Sequence, residues 1–279
     1  MRYINYNGNI HHELEPLFPV TYRGFRYGDG FFETMVMFNK QIPLLDFHWS
    51  RIEYTADVFS AHLPKRFNVE SFKNMLLDLA LVNDAVTNAR VRLQFFRKGG
   101  GLYLPDDSEL GYTISLDKID SNKFETGDGL KVGVRQDCFT LASMVSDLKT
   151  TNALIYILAA QLAQTEGWDE MFLLNDEATI SEAIHSNIFL LKGEKIITPT
   201  LDSGCVNGVM RAYIISLFDE NSIEERPVEL KELLEADEIL LTNAVRGVQW
   251  VHEFDGKVYG NKKAVEFTAL LNNSLSLGA

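Results

Sequence analysis

The chain is poor in several things that common functions need. Its 279 residues include two cysteines, Cys138 and Cys205. They make no CxxC pair, and no second ligand stands at metal spacing from either. That argues against a disulfide framework or a thiolate metal site and for free thiols in a reducing compartment. Positive charge is scarce too, with 26 Lys and Arg against 39 Asp and Glu, a formal net charge of −13. The acidity is spread along the chain, a balance ill suited to gripping nucleic acid or an anionic membrane surface. His11, His12 and His48 have no partners at ligand spacing, so no metal is expected. The greasiest stretch, Ala153 to Ala163, is interrupted by Gln161 and falls far short of the roughly 20 residues of a membrane span. The opening MRYINYNGNI lacks the apolar run of a signal peptide. The expected location is the cytoplasm.

Familiar phosphate and hydrolase signatures are missing as well. Gly28-Asp29-Gly30 lacks the third glycine of a dinucleotide fingerprint and precedes a strand signal; it reads as a tight turn. Gly99-Gly100-Gly101 has no following Lys-Ser/Thr, leaving a hairpin loop or a mobile loop over a pocket. No G-x-S-x-G elbow occurs.

What remains is a chain with 46% apolar residues, enough for one large or two medium domains. Arg90 to Phe95 alternates with period two, and Val132 to Phe139, Met171 to Leu174 and Glu238 to Leu241 carry strand signals. Ile188 to Ile197 reads as a hairpin turning on Gly193. Asp46 to Phe59, Asn152 to Gln164 and Gly208 to Phe218 repeat apolar residues at helical spacing. The polar stretch 117–129 (DKIDSNKFETGDG) predicts a linker between a domain at 1–116 and another at 130–279. Strands separated by few helices favour an α+β class over a doubly wound sheet.

Four residues or segments matter for their order rather than singly. Arg51 lies on a helix, Lys149 between a strand and a helix, and Glu182 in a loop-like stretch. The run from Asn207 to Arg211 opens a helix whose free N–H groups can hold an anion. Alone, each has an ordinary reading: solvated surface side chains and a plain helix start.

In that order they resemble the signature of the class IV aminotransferase family, the fold-type IV pyridoxal-phosphate enzymes. The likeness runs through YGDGFFET (Tyr27 to Thr34), LLDFHWSRI (Leu44 to Ile52), SDLKTTNAL (Ser146 to Leu154), ISEAIHSNIF (Ile180 to Phe189), VNGVMR (Val206 to Arg211) and LTNAVRGVQWV (Leu241 to Val251). The resemblance implies two α/β domains with pyridoxal 5′-phosphate in the cleft between them. It also implies a homodimer in which residues near Arg26, Tyr27 and Phe32 serve the neighbour's site. Lys149 would bind the cofactor aldehyde covalently and shuttle protons. Glu182 would face the pyridine nitrogen and keep it protonated. Arg51 would grip the phosphate with its planar fork, helped by the amides of Val209 and Met210. Asn243 and Ala244 would form a second cofactor loop. Arg90, Arg92 and Arg97 are candidates for a substrate carboxylate, with Arg90 and Arg92 on one strand face and Arg97 in the loop.

Within the family, the Lys149-x-x-Asn152 spacing, Met210 in VNGVMR, the Asn243-Ala244 loop and RKGGGLY resemble the 4-amino-4-deoxychorismate lyases. The alternative is an aminotransferase of branched-chain or D-amino acids with a 2-oxo acid acceptor. Ile184-His185 departs from both groups. A non-catalytic binding protein on the same fold is a remote third reading, and the presence of Lys149, Glu182 and Arg51 argues against it.

Overall fold

Residues 2–219 and 222–278 are described by the computed structural model of the chain. They divide into two compact units. One comprises the residues up to Asn122 together with Leu148–Asn152, and the other Lys123–Asp147 with Ala153 onward. Lys149 therefore groups with the first unit, although it lies inside the 130–279 stretch expected to form the second domain.

In the first unit, strand alternation sorts residues onto two faces. It contains β1 (Tyr3–Tyr6), β2 (Asn9–His12), a short helix α1 (Arg23–Tyr27), β3 (Gly30–Met37), helices α2 (Leu45–Val58) and α3 (Val69–Val82), β4 (Ala89–Arg97) and β5 (Leu110–Lys118). The antiparallel sheet runs β2-β1-β5-β4-β3. Phe31, Met35, Val91, Leu93, Phe95 and Ile114 point to one side and pack with Ile52 of α2 and Phe72 and Leu76 of α3 as the core. The register pairs Phe32 with Gln94 and Thr34 with Arg92, and these half-buried residues line the opposite face. Asn68 and Ser71 cap α3 reciprocally. The helices α1 and α3 were not anticipated. In α3 the signal was present all the same: Phe72, Leu76, Leu79 and Ala80 form one buried stripe.

The second unit begins at β6 (Leu130–Phe139) and continues through α4 (Leu154–Glu166), β7 (Glu170–Leu174), β8 (Ile180–Ala183), β9 (Asn187–Lys192) and β10 (Lys195–Thr198). Then come α5 (Val209–Ser216), β11 (Ile223–Glu225), α6 (Leu230–Glu235), β12 (Glu238–Asn243), β13 (Gly247–Phe254), β14 (Lys257–Val258) and α7 (Lys262–Ser274). The sheet order is β11-β10-β9-β12-β13-β6-β7-β8, with β14 on β13. Parallel pairs (β13/β6, β6/β7, β10/β11) sit among antiparallel ones. That mixture bears out the α+β reading. The β9–β10 hairpin turns through Gly193 as expected. One side of the sheet packs Phe172, Ile188, Leu190, Ile239 and Leu241 into a core; Met171 and Leu173 face α4 through Ala159 and Ala163. Among the described residues no helix is long and apolar enough to cross a membrane. Cys138 and Cys205 are buried and unbridged.

Candidate active site

Lys149 is held by backbone pairing to the start of β3. The Phe32 N–H donates to the Lys149 carbonyl at 3.0 Å, and the Thr151 N–H donates to the Gly30 carbonyl at 3.0 Å. Thr151 Oγ1 donates to the Gly28 carbonyl at 2.7 Å, and Asn152 Nδ2 reaches the same carbonyl at 3.2 Å. Gly28 ends α1 in the left-handed region, at φ 62°. A Cβ there would lie 2.4 Å from Asn152 Oδ1, so only glycine admits this contact. The segment 148–152 thus behaves as an extra edge of the first unit's sheet. Lys149 Nζ sits 4.8 Å from the centre of the Phe32 ring, and the Arg92 guanidinium carbon is 3.8 Å from the same ring.

Behind β3 lies a buried polar triad that sequence reading missed in part. Arg51 grips Glu33 through two nitrogens, and His48 Nδ1 is 2.6 Å from Glu33 Oε2. Burial alone would raise the Glu33 carboxyl. The adjoining charges and hydrogen bonds of Arg51 and His48 outweigh it and hold the group at about 2. His48 is pushed below its ordinary value, chiefly by burial, with Arg51 and Lys149 adding to the effect. The permanent charge on Arg51 fixes Glu33 as an anion, so His48 is best described as a neutral ring donating to it.

The other predicted arginines part company. Arg90 is exposed near Asp117. Arg92, half-buried, has Nε and one terminal nitrogen on Gln94 Oε1 at 3.2 and 3.1 Å. Arg97 was expected in the loop, but it is the last residue of β4, buried and on the opposite face. It donates to Asp29 at 3.1 Å and to the Phe59 carbonyl at 2.7 Å. Arg26 is exposed on α1, while Tyr27 lies beside Tyr103 and borders a cavity of about 570 Å³ with Arg23, Asp29, Arg97 and Asn152. Both buried arginines there are spent on Asp29 and backbone carbonyls.

In the second unit the centre is Glu182 on β8, buried and turned toward α4. The Tyr156 hydroxyl donates to Oε1 at 2.6 Å, and the Val206 N–H donates to Oε2 at 3.2 Å. Burial and then the Glu182 charge push the neighbouring Cys205 thiol up to about 12, so it stays protonated. Asn187 donates from Nδ2 to the Val206 carbonyl at 2.8 Å, which pins the 204–208 loop. Gly208 caps α5 without any side-chain cap, leaving the first-turn amides of Val209 and Met210 without a cap from that position. A Cβ on Gly208 would fall 1.8 Å from Asn187 Oδ1. On β12, paired opposite Asn187, Thr242 is fully buried and its hydroxyl has no hydrogen-bond partner among the described residues. Asn243 Nδ2 donates to Ser186 Oγ at 3.1 Å, while its Oδ1 accepts the Val245 and Arg246 N–H groups; Ala244 stands half-buried in that turn. Ile184 packs under α4, and His185 is exposed with Nδ1 3.1 Å from Glu170.

Each set, taken by itself, fits one part of pyridoxal phosphate. An uncapped helix start, a glycine cradle and an orphaned hydroxyl suit a phosphate. A buried carboxylate already holding two donors suits a protonated ring nitrogen, and a half-buried lysine beside an aromatic ring suits an aldehyde. Tyr156, Asn187 and Thr242 were given no role from sequence; Asn187 and Thr242 lie inside the ISEAIHSNIF and LTNAVRGVQWV motifs and Tyr156 outside any, and only folding brings them beside Glu182 and α5.

Comparison with known proteins agrees. The family model described as amino-transferase class IV matches residues 30–254. A putative branched-chain-amino-acid aminotransferase of Methanocaldococcus jannaschii is 30% identical over 271 residues, spanning 95% of this chain and 92% of that protein. The aminodeoxychorismate lyase of Bacillus subtilis is 27% identical, spanning 95% and 90%. The solved branched-chain aminotransferase of Thermoproteus uzoniensis, with norvaline, matches in fold at a TM-score of 0.86 and 21% identity, over 98% of this chain and 94% of that one. The protein belongs to the class IV aminotransferases and is an enzyme that uses pyridoxal 5′-phosphate.

Proposed function

We propose that the enzyme cleaves a cyclic, anionic amino compound of the 4-amino-4-deoxychorismate type, releasing pyruvate and 4-aminobenzoate. The observation that carries this reading is the Phe32 ring flanked by the Lys149 amine and the Arg92 guanidinium, an aromatic surface with two cations at hand. A flat ring stacks on such a surface, and a carboxylate pairs with the arginine's planar fork. Lys149 would hold the cofactor through its aldehyde. Bound in this way, pyridoxal phosphate supplies an electron sink for the charge left when a proton leaves the carbon bearing the amino group. The freed Lys149 Nζ takes that proton from the substrate ring. The bond between the ring carbon and the enolpyruvyl oxygen then breaks, the ring becomes aromatic, and the departing enolate takes up a proton at its methylene carbon to leave as pyruvate. Glu182 orients the cofactor through its ring nitrogen, while Arg51, Val209, Met210 and the Asn243–Ala244 turn serve its phosphate end. A homodimer with Arg26 and Tyr27 near the neighbour's site completes the proposal, with the cytoplasm as its setting; Phe32, expected to serve the neighbour too, lies instead beside Lys149 of its own chain.

A second reading has its own support, since the M. jannaschii relative is named an aminotransferase. In that reading Lys149 Nζ takes the proton from Cα of an amino acid, which leaves as its 2-oxo acid, and bound pyridoxal phosphate would carry the amino group to a second 2-oxo acid.

Two experiments test these readings. Borohydride reduction followed by peptide mapping is expected to place the cofactor on Lys149; label elsewhere, or none, overturns the assignment. Incubation with aminodeoxychorismate is expected to release pyruvate. Rapid conversion of one amino acid to its 2-oxo acid, without pyruvate release from aminodeoxychorismate, selects the aminotransferase reading instead.

A further inference from the structure

We propose that Tyr156 is a positioning residue that keeps a proton on the cofactor's ring nitrogen by holding the Glu182 carboxylate from behind. The inference rests on the assignment of Glu182 to that nitrogen.

The geometry starts with α4. Tyr156 shares a stripe with Ala159, Ala160 and Ala163, whose small side chains pack with Cys138 of β6, Met171 and Leu173 of β7 and Ile184 just after β8. Alanines at those positions let the helix approach the sheet closely enough for a phenol to reach Glu182. The Tyr156 oxygen lies 2.6 Å from Glu182 Oε1, the length of a charge-assisted bond. Burial, together with the Glu182 charge, drives the phenol far above its ordinary range, so it keeps its proton and acts only as the donor.

The second carboxylate oxygen is also held. The Val206 N–H donates to Oε2 at 3.2 Å, and Asn187 fixes the same residue by its carbonyl at 2.8 Å. The adjacent Cys205 stays a neutral thiol and adds no competing negative charge. An ionised carboxylate has about four acceptor sites. Tyr156 and Val206 take one site on each oxygen, and the ring N–H would be a further donor to the same carboxylate. Donor hydrogen bonds stabilise the charged carboxylate over its protonated form. A proton shared between Glu182 and the ring nitrogen is thereby kept on the nitrogen, where the electron sink needs it. Without Tyr156 the carboxylate competes better for that proton.

The test reads the proton directly. The enzyme is loaded with pyridoxal phosphate labelled with 15N in the ring, and the nitrogen's chemical shift is followed against pH. Wild type is compared with Tyr156→Phe and with protein carrying 3-fluorotyrosine, a stronger donor, at position 156. Loss of the donor makes the carboxylate more basic, so at neutral pH the nitrogen's shift is expected to move toward the unprotonated value. The fluorinated side chain is expected to move it the other way. A neutral-pH shift unchanged in Tyr156→Phe overturns the inference, because a phenol that merely packs would not move it. If Tyr156→Phe fails to fold, the fluorotyrosine arm decides alone, and a shift that is unmoved or goes toward the unprotonated value overturns the proposal. Glu182→Gln separates the two layers. If that variant leaves the wild-type shift in place, the Glu182 assignment itself falls and takes this inference with it.

Discussion

Glu33 and Arg51 meet in a two-point clamp. Arg51 Nε donates to Glu33 Oε1 at 2.7 Å, and a terminal guanidinium nitrogen donates to Oε2 at 2.6 Å, both side chains being buried. The clamp links α2 to β3, the strand that carries Phe32 and supports Lys149. It also sets the direction of the guanidinium proposed to serve the phosphate. Removing one partner of a buried pair strands the other charge, at a cost of about 3–5 kcal/mol. Glu33→Gln is expected to lower the unfolding free energy measured by urea titration by that order. Glu33→Leu with Arg51→Met, which removes both charges, is expected to lose much less. Equal losses in the single and double variants would show that the pairing is not what holds the two elements.

The same triad makes stability depend on pH in two steps. His48 is pushed below its ordinary 6.5 in the folded protein, so the unfolded chain binds its proton first. Glu33 is held at about 2, against 4.5 for the free side chain. In both cases the unfolded state takes up more protons as pH falls, and stability falls with it. The His48 contribution is complete above about 6.5 and declines below it; the Glu33 contribution is complete above about 4.5 and is lost as pH drops through about 2. Unfolding free energies measured from pH 8 to pH 3 should therefore fall in two stages. His48→Gln should remove the upper stage and leave the lower. A single stage in wild type, beginning only below pH 5, would contradict the description of His48.

Much of this was legible in the sequence, for reasons that particular residues make clear. Period-two alternation in Arg90 to Phe95 reported a strand with one buried face, and helical spacing in Asp46 to Phe59 reported α2 to within a residue at each end. Lys149 and Glu182 stood out because several ordered motifs surround them. The placement of Lys149 did not follow from spacing. Its carbonyl accepts from the Phe32 N–H, and Thr151 two residues on bonds to Gly28 and Gly30, partners more than a hundred residues away, and local pattern carries no record of such pairing. Arg97 shows the same limit. One extra residue of strand beyond Phe96 turns it to the buried face, where Asp29 takes it. Tyr156, Asn187 and Thr242 escaped notice because each occupies an ordinary position on its own element and acquires a role only through its neighbours in space.

Gly208 gives a prediction about the helix start. An alanine there would bring its Cβ to 1.8 Å from Asn187 Oδ1, so Asn187 must turn and release the Val206 carbonyl. Overpacking of this kind costs about 1–3 kcal/mol. If the α5 start holds the phosphate, the disturbance should appear mostly in the cofactor's dissociation constant, raised about tenfold or more. Titration of cofactor-free Gly208→Ala protein, followed by absorbance of the bound form, measures it. Affinity equal to wild type would remove the α5 start from the phosphate site.

Thr242 offers the sharpest separation of stability from function. A buried hydroxyl without a partner costs about 1–3 kcal/mol, the penalty of taking a polar group out of water for nothing. A fold keeps such a group when something else satisfies it, and a phosphate oxygen is the proposed acceptor. Thr242→Val keeps the branched shape of the side chain and removes the hydroxyl. In cofactor-free protein the change should raise Tm or leave it unaltered, because an unpaired polar atom has gone. In the loaded enzyme it should do the reverse, weakening cofactor binding by about the value of one charge-assisted hydrogen bond, ten- to a hundredfold in Kd. The opposite signs are the point of the test. Destabilisation of the cofactor-free protein with unchanged Kd would mean that Thr242 serves the fold through its own packing, and would take it out of the phosphate site.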